Sequence, residues 1–322
     1  MNIRTDLAME AYELLTETAD EIAGIGVKKE QINNTEITRV EVKTKDAAKK
    51  LGKPEGNYVT VEVSDVSMLD SDKMEALCQL LANEIKALAN LKKDSTVLVI
   101  GLGNRNVTPD ALGPEVISCL MVTRHMLEYM PEQMPDGIRS VCAISPGVLG
   151  ITGIETEEIV RGVTEKIKPN LVICIDALAA RSIKRISRTI QICDTGIAPG
   201  AGVGNKRRAL NRQTLGVPVI AIGVPTVIDA ATITSDSLLA VTDSLKKSAK
   251  QGSEFYNMLS KIDEDEQFAL IKEALYMSNE NFIVTPKDVD LMIEKTAKIV
   301  ANGINLALHE DISLEDVEMY VG

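Results

Sequence analysis

The feature that most constrains the fold is a series of short, wholly apolar runs that alternate with amphipathic stretches. Residues 97–100 precede a Gly-Asn loop and a predicted helix over about 111–126, and residues 171–175 follow a predicted helix over 156–166. Strands without a polar face are typical of parallel sheets that helices cover on both sides. Further predicted strands lie at 138–144, 189–193 and 217–222. The pattern predicts an α/β fold, a three-layer sandwich around a mostly parallel sheet.

The chain on either side of this core follows other patterns. Before it, the spacing of apolar residues predicts two helices and two half-exposed strands, at 7–23, 37–42, 58–63 and 71–91. After it, three helices are predicted, at 235–251, 263–277 and 286–308. We expect a boundary near residue 94, with a smaller β-containing N-terminal part, 7–94, packed on a core, 95–322, that ends in helices.

Charge and composition exclude several classes of function. The formal net charge is −12 and the most basic run, 206–208, is short, which argues against direct binding of nucleic acid. The five Cys residues show no CxxC spacing and the two His residues lie far apart, so we expect buried thiols and no zinc site. The N-terminus lacks a signal peptide, and no apolar run reaches the ~18 residues of a membrane span. We therefore expect a cytoplasmic protein without membrane contact.

Two acidic residues lie where open parallel sheets carry their functional crevice, beyond the carboxyl ends of strands. Asp110 lies in the loop after strand 97–100, and Asp176 closes strand 171–175. If these strands are neighbours, the two carboxyl groups form a pair in which one takes a proton from water while the other stays neutral. Other interpretations stay open: Asp110 as a helix-capping charge, Asp176 as the partner of Arg181, and the pair as ligands of a divalent ion.

Two glycine-rich loops offer main-chain donors beside these acids. The loop at 101–104, Gly-Leu-Gly-Asn, lacks the spacing of a dinucleotide-binding motif or a Walker loop. Its Asn104 either orients a substrate carbonyl or ties the loop to itself. The second loop spans 196–205, and its backbone can approach a bound chain closely or serve as a plain connection. No GxSxG elbow occurs, so a serine–histidine–aspartate mechanism is not expected.

Six segments spread over nearly the whole chain have long and unusual sequences. They are IRTDLAMEA, GLGNRNVTPDALGP, SPGVLGITGIET, CIDALAAR, DTGIAPGAGVGN and FIVTPKDVDLMI. Together they resemble the germination protease family of spore-forming bacteria. The resemblance implies an atypical aspartic endopeptidase, similar in fold to the hydrogenase maturation proteases, that degrades small acid-soluble spore proteins in the germinating spore. It implies that Asp110 and Asp176 are the essential aspartates, and we expect no cofactor and no resident metal.

The resemblance also implies a zymogen that removes its own N-terminus. The family cuts after an acidic residue that precedes a hydrophobic residue and Ala, and Asp6-Leu7-Ala8 fits this rule. Residues 1–6 are therefore the expected propeptide, with the cut between Asp6 and Leu7. Residues 21–23, Glu-Ile-Ala, fit the rule too, but a predicted helix protects them. The family forms homotetramers, which we expect for this chain.

A preference for acidic substrate residues requires a basic subsite. Arg181 and the three basic residues at 206–208 are the candidates for it. Gly103, Asn104 and Gly202 are candidates for holding the peptide or stabilising the oxyanion through the two glycine-rich loops.

Two other functions are compatible with the same residues. A peptidase like the hydrogenase maturation proteases would use the two carboxylates around a nickel ion, and nickel dependence would reveal it. The long N- and C-terminal additions argue against that function. A non-enzymatic binding module would keep its function after both aspartates are changed to Asn.

Overall fold

The computed structural model describes residues 5–16, 22–32, 35–63, 66, 69–199, 208–261, 263–275 and 282–321. Within these ranges, nine strands form one sheet in the order β1-β2-β3-β7-β8-β6-β4-β5, with β9 paired to β8. The strands are β1 (Ile25–Ile32), β2 (Thr35–Val42), β3 (Gly56–Glu62), β4 (Thr96–Gly101), β5 (Ser140–Ile144), β6 (Leu171–Ala180), β7 (Thr189–Cys193), β8 (Val219–Asp229) and β9 (Ile283–Val284).

The helices flank this sheet and make up the C-terminal part. They are α1 (Ala8–Thr16), α2 (Lys45–Leu51), α3 (Ser71–Ala89), α4 (Leu112–Ser118), α5 (Arg124–Tyr129), α6 (Leu149–Thr152), α7 (Thr156–Ile167), α8 (Arg212–Leu215), α9 (Ala230–Ser248), α10 (Glu254–Ser260), α11 (Glu264–Leu275), α12 (Val289–Leu308) and α13 (Leu314–Val321).

The sheet has a parallel half and an antiparallel extension. The pairs β8–β6, β6–β4 and β4–β5 are parallel, as the alternation of strands and helices predicts. From β8 outward through β7, β3, β2 and β1, each pair is antiparallel. The N-terminal strands therefore lengthen the sheet of the core, and the predicted α/β class is confirmed.

Both faces of the parallel half are covered, which explains why its strands have no polar face. Val97 and Val99 of β4 point into a core shared with α3 and α12, whereas Leu98 and Ile100 point into a second core shared with Val160 of α7. Burying a side chain of this size contributes about 1.5–3 kcal/mol to the free energy of unfolding. Helices α3 and α12 pack closely because Gly303 offers no side chain against Leu81.

Two sequence-based boundaries are wrong in ways that matter for the site. Asp176 does not close its strand, because β6 continues to Ala180 alongside β8. The helix predicted over 111–126 is interrupted, because the side chain of Asn305 in α12 accepts the Met121 N–H at 3.0 Å and donates to the Cys119 carbonyl at 3.2 Å. These two bonds replace the helical bonds that the chain would otherwise make.

Candidate active site

A crevice opens where β4 stops while its neighbour β6 continues alongside β8. Gly101, the last residue of β4, lies opposite Ile175 of β6, and the Leu102 N–H donates to the Ile175 carbonyl at 2.8 Å. Asp176 is the next residue of β6, and Gly223 of β8 lies opposite it. The predicted adjacency of the two strands is confirmed, and it brings the loop after β4 to the side of Asp176.

The loop after β4 folds back so that Asp110 packs on Gly103. The Asn104 N–H donates to both the Oδ2 atom and the main-chain oxygen of Asp110, at 2.9 and 3.1 Å. Gly103 has a φ of +108°, and a Cβ there would lie 2.0 Å from the main-chain oxygen of Asp110. Thr226 of β8 donates to the Pro109 carbonyl at 2.7 Å and fixes the loop to the sheet. The position of Asp110 is therefore set by backbone contacts on two sides.

Asp176 is buried, with 5% of its surface exposed, although it carries an ionisable group. Its Oδ1 atom accepts the Ala177 N–H at 3.0 Å. Asp176 and Asp110 line the same cavity, of about 590 Å³, together with Gly103. A buried carboxyl in a cavity wall is a group that acid–base chemistry uses, because it can exchange its proton with a bound reactant.

The N-terminal segment runs into this cavity, and Asp6 is one of its lining residues. The Asp6 carboxylate accepts the Ala179 N–H from the far end of β6 at 2.9 Å, and the Asp6 N–H donates to the Ala179 carbonyl at 3.4 Å. Burial raises the pKa of Asp6, against the lowering effect of the Ala179 N–H and of the Lys53 ammonium. Burial also lowers the pKa of Lys53, which Asp6 partly offsets. Burial thus disfavours the charged form of each side chain, and the charge of each partly offsets this effect on the other.

The residues after Asp6 are anchored firmly. Leu7 is fully buried. The carboxylate of Glu10 accepts the main-chain N–H groups of Arg181 and Ser182 at 2.9 and 3.0 Å, and it lies 3.6 Å from Arg185 Nε. Burial raises the pKa of Glu10 in spite of these partners. Helix α1 is therefore held at the end of β6 by a buried carboxylate, next to the crevice.

The other predicted site residues have different positions. The Nη1 atom of Arg181 bonds both carboxylate oxygens of Asp236 at 2.8 Å, and Arg208 lies 3.4 Å from Glu157. Arg181 thus pairs with Asp236 rather than with Asp176. The Asn104 side chain accepts the Asn106 N–H at 3.0 Å, as in the interpretation in which it ties its own loop. Gly202, Lys206 and Arg207 lie outside the described residues.

Sequence reasoning missed two polar residues of the cavity wall, Lys53 and Gln191. Gln191 has a weak signal, since it is a polar residue between two isoleucines in the buried strand β7. Lys53 follows the left-handed Gly52 that ends α2, and nothing distinguishes it in sequence from the exposed lysines of that helix. Both reach the cavity because β3 pairs with β7 and β7 with β8.

Neither a candidate metal cluster nor a candidate membrane helix occurs in the described part of the chain. No group of three or more His, Cys, Asp or Glu side chains there is arranged to hold a metal ion. None of the helices in these ranges has the length and apolar character needed to cross a bilayer.

The fold and the cavity define an α/β protein with two aspartates in one crevice, Asp110 in the loop after β4 and Asp176 within the neighbouring parallel strand β6. Comparison with known proteins identifies its family. The family model for germination protease matches residues 4–254 and 239–321. The chain belongs to the germination protease family and is a peptidase.

The relatives match over the full length of the chain. A germination protease of Clostridium tetani is 49% identical over 322 residues, with 100% of both chains covered. One from Caldanaerobacter subterraneus is 50% identical over 317 residues, covering 98% of this chain and 97% of its own. Among solved structures, a NiFe hydrogenase maturation protease from Thermococcus kodakarensis KOD1 covers 61% of this chain and 98% of its own, at 18% identity and a TM-score of 0.29.

Proposed function

We propose that this protein is an endopeptidase that begins the degradation of small acid-soluble spore proteins, using Asp110 and Asp176 to activate water. The observation that carries the proposal is that both aspartates and the acidic residue of the expected self-cleavage site, Asp6, line one cavity. Membership of the germination protease family supports a protein substrate that is degraded at germination.

In the proposed mechanism the two carboxyl groups share the work of acid and base. The ionised member takes a proton from the attacking water, and the neutral member polarises the scissile carbonyl and then protonates the leaving nitrogen. The bonds from the Asn104 and Ala177 N–H groups hold one oxygen of each aspartate in a fixed position at the crevice. Positioning of this kind accounts for a large part of the rate of many enzymes.

The protein is proposed to be a zymogen that cuts itself between Asp6 and Leu7. Asp6, Leu7 and Ala8 fit the cleavage rule that the family resemblance implies, an acidic residue followed by a hydrophobic residue and Ala. The segment from Thr5 to Glu10 is bonded to the cavity wall, so it occupies the space that a substrate needs. Release of residues 1–6 would open the cavity while Glu10 keeps α1 in place.

The decisive experiment incubates the purified protein with a small acid-soluble spore protein, with and without EDTA, and identifies the fragments by mass spectrometry. Asp110→Asn and Asp176→Asn are each expected to lower the cleavage rate about 100- to 10,000-fold, since each removes an acid–base group. Asp72→Asn, an exposed change in the first turn of α3, is the matched control and is expected to be neutral.

The outcomes separate the alternatives. EDTA-resistant cuts after Asp or Glu that vanish in both site variants support the aspartate pair. Cuts that vanish with EDTA and return with nickel would make the two carboxylates metal ligands. Full activity in both Asn variants would contradict the proposal. A species that lacks residues 1–6 is expected in aged, mildly acidified wild-type protein.

The remaining parts of the proposal concern assembly and location. We propose a homotetramer in the cytoplasm of the forespore and later in the spore core, without direct contact to DNA or a membrane. Light scattering of the purified protein tests the assembly, since a tetramer has four times the chain mass. A fluorescent fusion imaged during sporulation tests the location.

A further inference from the structure

Two polar side chains hold the peptide bond that joins Asp6 to Leu7. The Asp6 carbonyl accepts a bond from Lys53 Nζ at 2.8 Å and one from Gln191 Nε2 at 3.3 Å. On the other side of the bond, Gln191 Oε1 accepts the Ala8 N–H at 2.7 Å. One amide group therefore grips the chain before and after the peptide bond and sets the orientation of its plane.

Lys53 also supplies the positive charge that an acidic residue requires. Among the cavity-lining residues that the structure describes, Lys53 has the cationic side chain. Its ammonium donates to the carbonyls of Thr5 and Asp6 and acts on the Asp6 carboxylate. The carboxylate itself is seated on the Ala179 N–H. A partly buried ammonium in the same cavity as a seated carboxylate favours acid over amide at that position, because water screens their attraction less there.

The basic residues that the sequence suggested are less suited to this task. Arg181 is committed to Asp236, and Arg208 to Glu157. Gln191 is 7% exposed, and a buried amide must have hydrogen-bond partners for both its oxygen and its nitrogen. Main-chain groups of the N-terminal segment are these partners, so Gln191 binds the peptide backbone and not a particular side chain.

We propose that Lys53 and Gln191 are the substrate-binding residues for the amino-acid residue whose carbonyl is cleaved. Lys53 selects an acidic side chain there and holds the carbonyl oxygen, and Gln191 aligns the peptide plane with the aspartates. This inference rests on the proposed function, because it takes the Asp6–Leu7 bond as the bond that is cut.

The test uses the self-processed enzyme and two peptides, one with the sequence of residues 3–10 and one in which Asp6 is replaced by Asn. We expect Lys53→Gln to reduce the ratio of kcat/KM for the Asp peptide over the Asn peptide about 10- to 100-fold, the effect of losing a positive charge near a partly desolvated carboxylate. Lys53→Arg keeps the charge and is expected to keep much of the ratio. Lys50→Gln removes an exposed lysine of α2 and is the matched control.

Gln191→Leu gives a different signature. It is expected to lower kcat/KM for both peptides by a similar factor and to leave their ratio unchanged, since Gln191 contacts only main chain of the segment. Thermal unfolding of each variant separates these effects from loss of the fold. A wild-type ratio in folded Lys53→Gln would overturn the assignment of Lys53 while leaving the proposed function intact. A wild-type enzyme that cuts neither peptide would end both proposals.

Self-cleavage of the full chain provides a second measurement that does not depend on peptide binding. Lys53→Gln is expected to slow removal of residues 1–6, and Asp6→Asn to slow it as well. In the double variant the loss of cleavage rate should be much smaller than the two single losses combined. Either single change already removes the charge interaction between Lys53 and Asp6. Full additivity would show that Lys53 does not act on Asp6 and would overturn the inference.

Discussion

Replacing Gly103 by Ala tests how the loop after β4 positions Asp110. The new Cβ would lie 2.0 Å from the main-chain oxygen of Asp110, so the two must separate by on the order of 1 Å before they reach normal contact. Overpacking costs about 1–3 kcal/mol, and a side chain at a φ of +108° adds about 1–3 kcal/mol of backbone strain. We expect the free energy of unfolding to fall by about 2–6 kcal/mol, the sum of these two effects.

The same displacement should also damage catalysis. A shift of about 1 Å in a reacting group lowers an enzymatic rate about 100-fold, so Gly103→Ala is expected to reduce self-cleavage by at least that factor under conditions in which it is folded. Urea unfolding measures the first effect, and intact mass spectrometry over time measures the second.

Gly162→Ala in α7 is the matched control for this experiment. No atom lies within 4 Å of a Cβ built at Gly162, and the residue lies in the interior of a helix. We therefore expect a gain of about 1 kcal/mol in stability and an unchanged rate of cleavage. If Gly103→Ala had the stability and the cleavage rate of the wild type, the loop would have space for a Cβ at this position. The conclusion that Gly103 sets the position of Asp110 would then be refuted.

Three further predictions follow from groups outside the cavity. His309 is buried with its Nδ1 atom accepting the Arg139 N–H at 3.2 Å, and burial lowers its pKa from 6.5 to about 4. As the pH falls, His309 takes up its proton in the unfolded chain before it does so in the folded protein. The free energy of unfolding is therefore unaffected by His309 above about pH 6.5 and falls by about 3 kcal/mol as the pH drops through 4. Urea unfolding at pH 7 and pH 4 should show a smaller pH effect in His309→Gln. Arg181→Gln is expected to preserve the preference for acidic substrates, since Arg181 bonds Asp236. A lost preference in the peptide assay would restore Arg181 as a subsite residue. Burial raises the pKa of Cys78 to about 12, so iodoacetamide at pH 8 should label it only in denaturant. Rapid labelling of the native protein would contradict the packing of α3 on α12.

The parallel half of the sheet could be predicted because its signal is strong and local. A strand segment buried on both faces must be apolar, as β4 is from Val97 to Ile100 and β6 from Leu171 to Ile175. Their adjacency, and with it the placement of Asp110 and Asp176 at one crevice, then follows from the rules for parallel sheets. By contrast, β1 is an exposed edge strand of mostly polar residues, so it carries no hydrophobic period that could have indicated it.

The grip on the N-terminal segment could not be predicted, because it depends on long-range pairing. Lys53 and Gln191 are far apart in sequence, and the register of β3 on β7 brings the two regions together, with Tyr58 opposite Cys193. Neither residue carries a motif. The end of β6 was misplaced for a similar reason, since the strand extends beyond its apolar run only because β8 continues beside it.

The division of the sheet into two halves has a consequence for how such an enzyme can change. The aspartates belong to the parallel half, whereas Lys53 and Gln191 belong to the antiparallel extension and its connections. With the roles proposed above, mutations in the extension would alter which peptide is accepted without moving the two aspartates. A homologue could keep the same hydrolytic chemistry and acquire a different substrate specificity through changes in the outer strands alone.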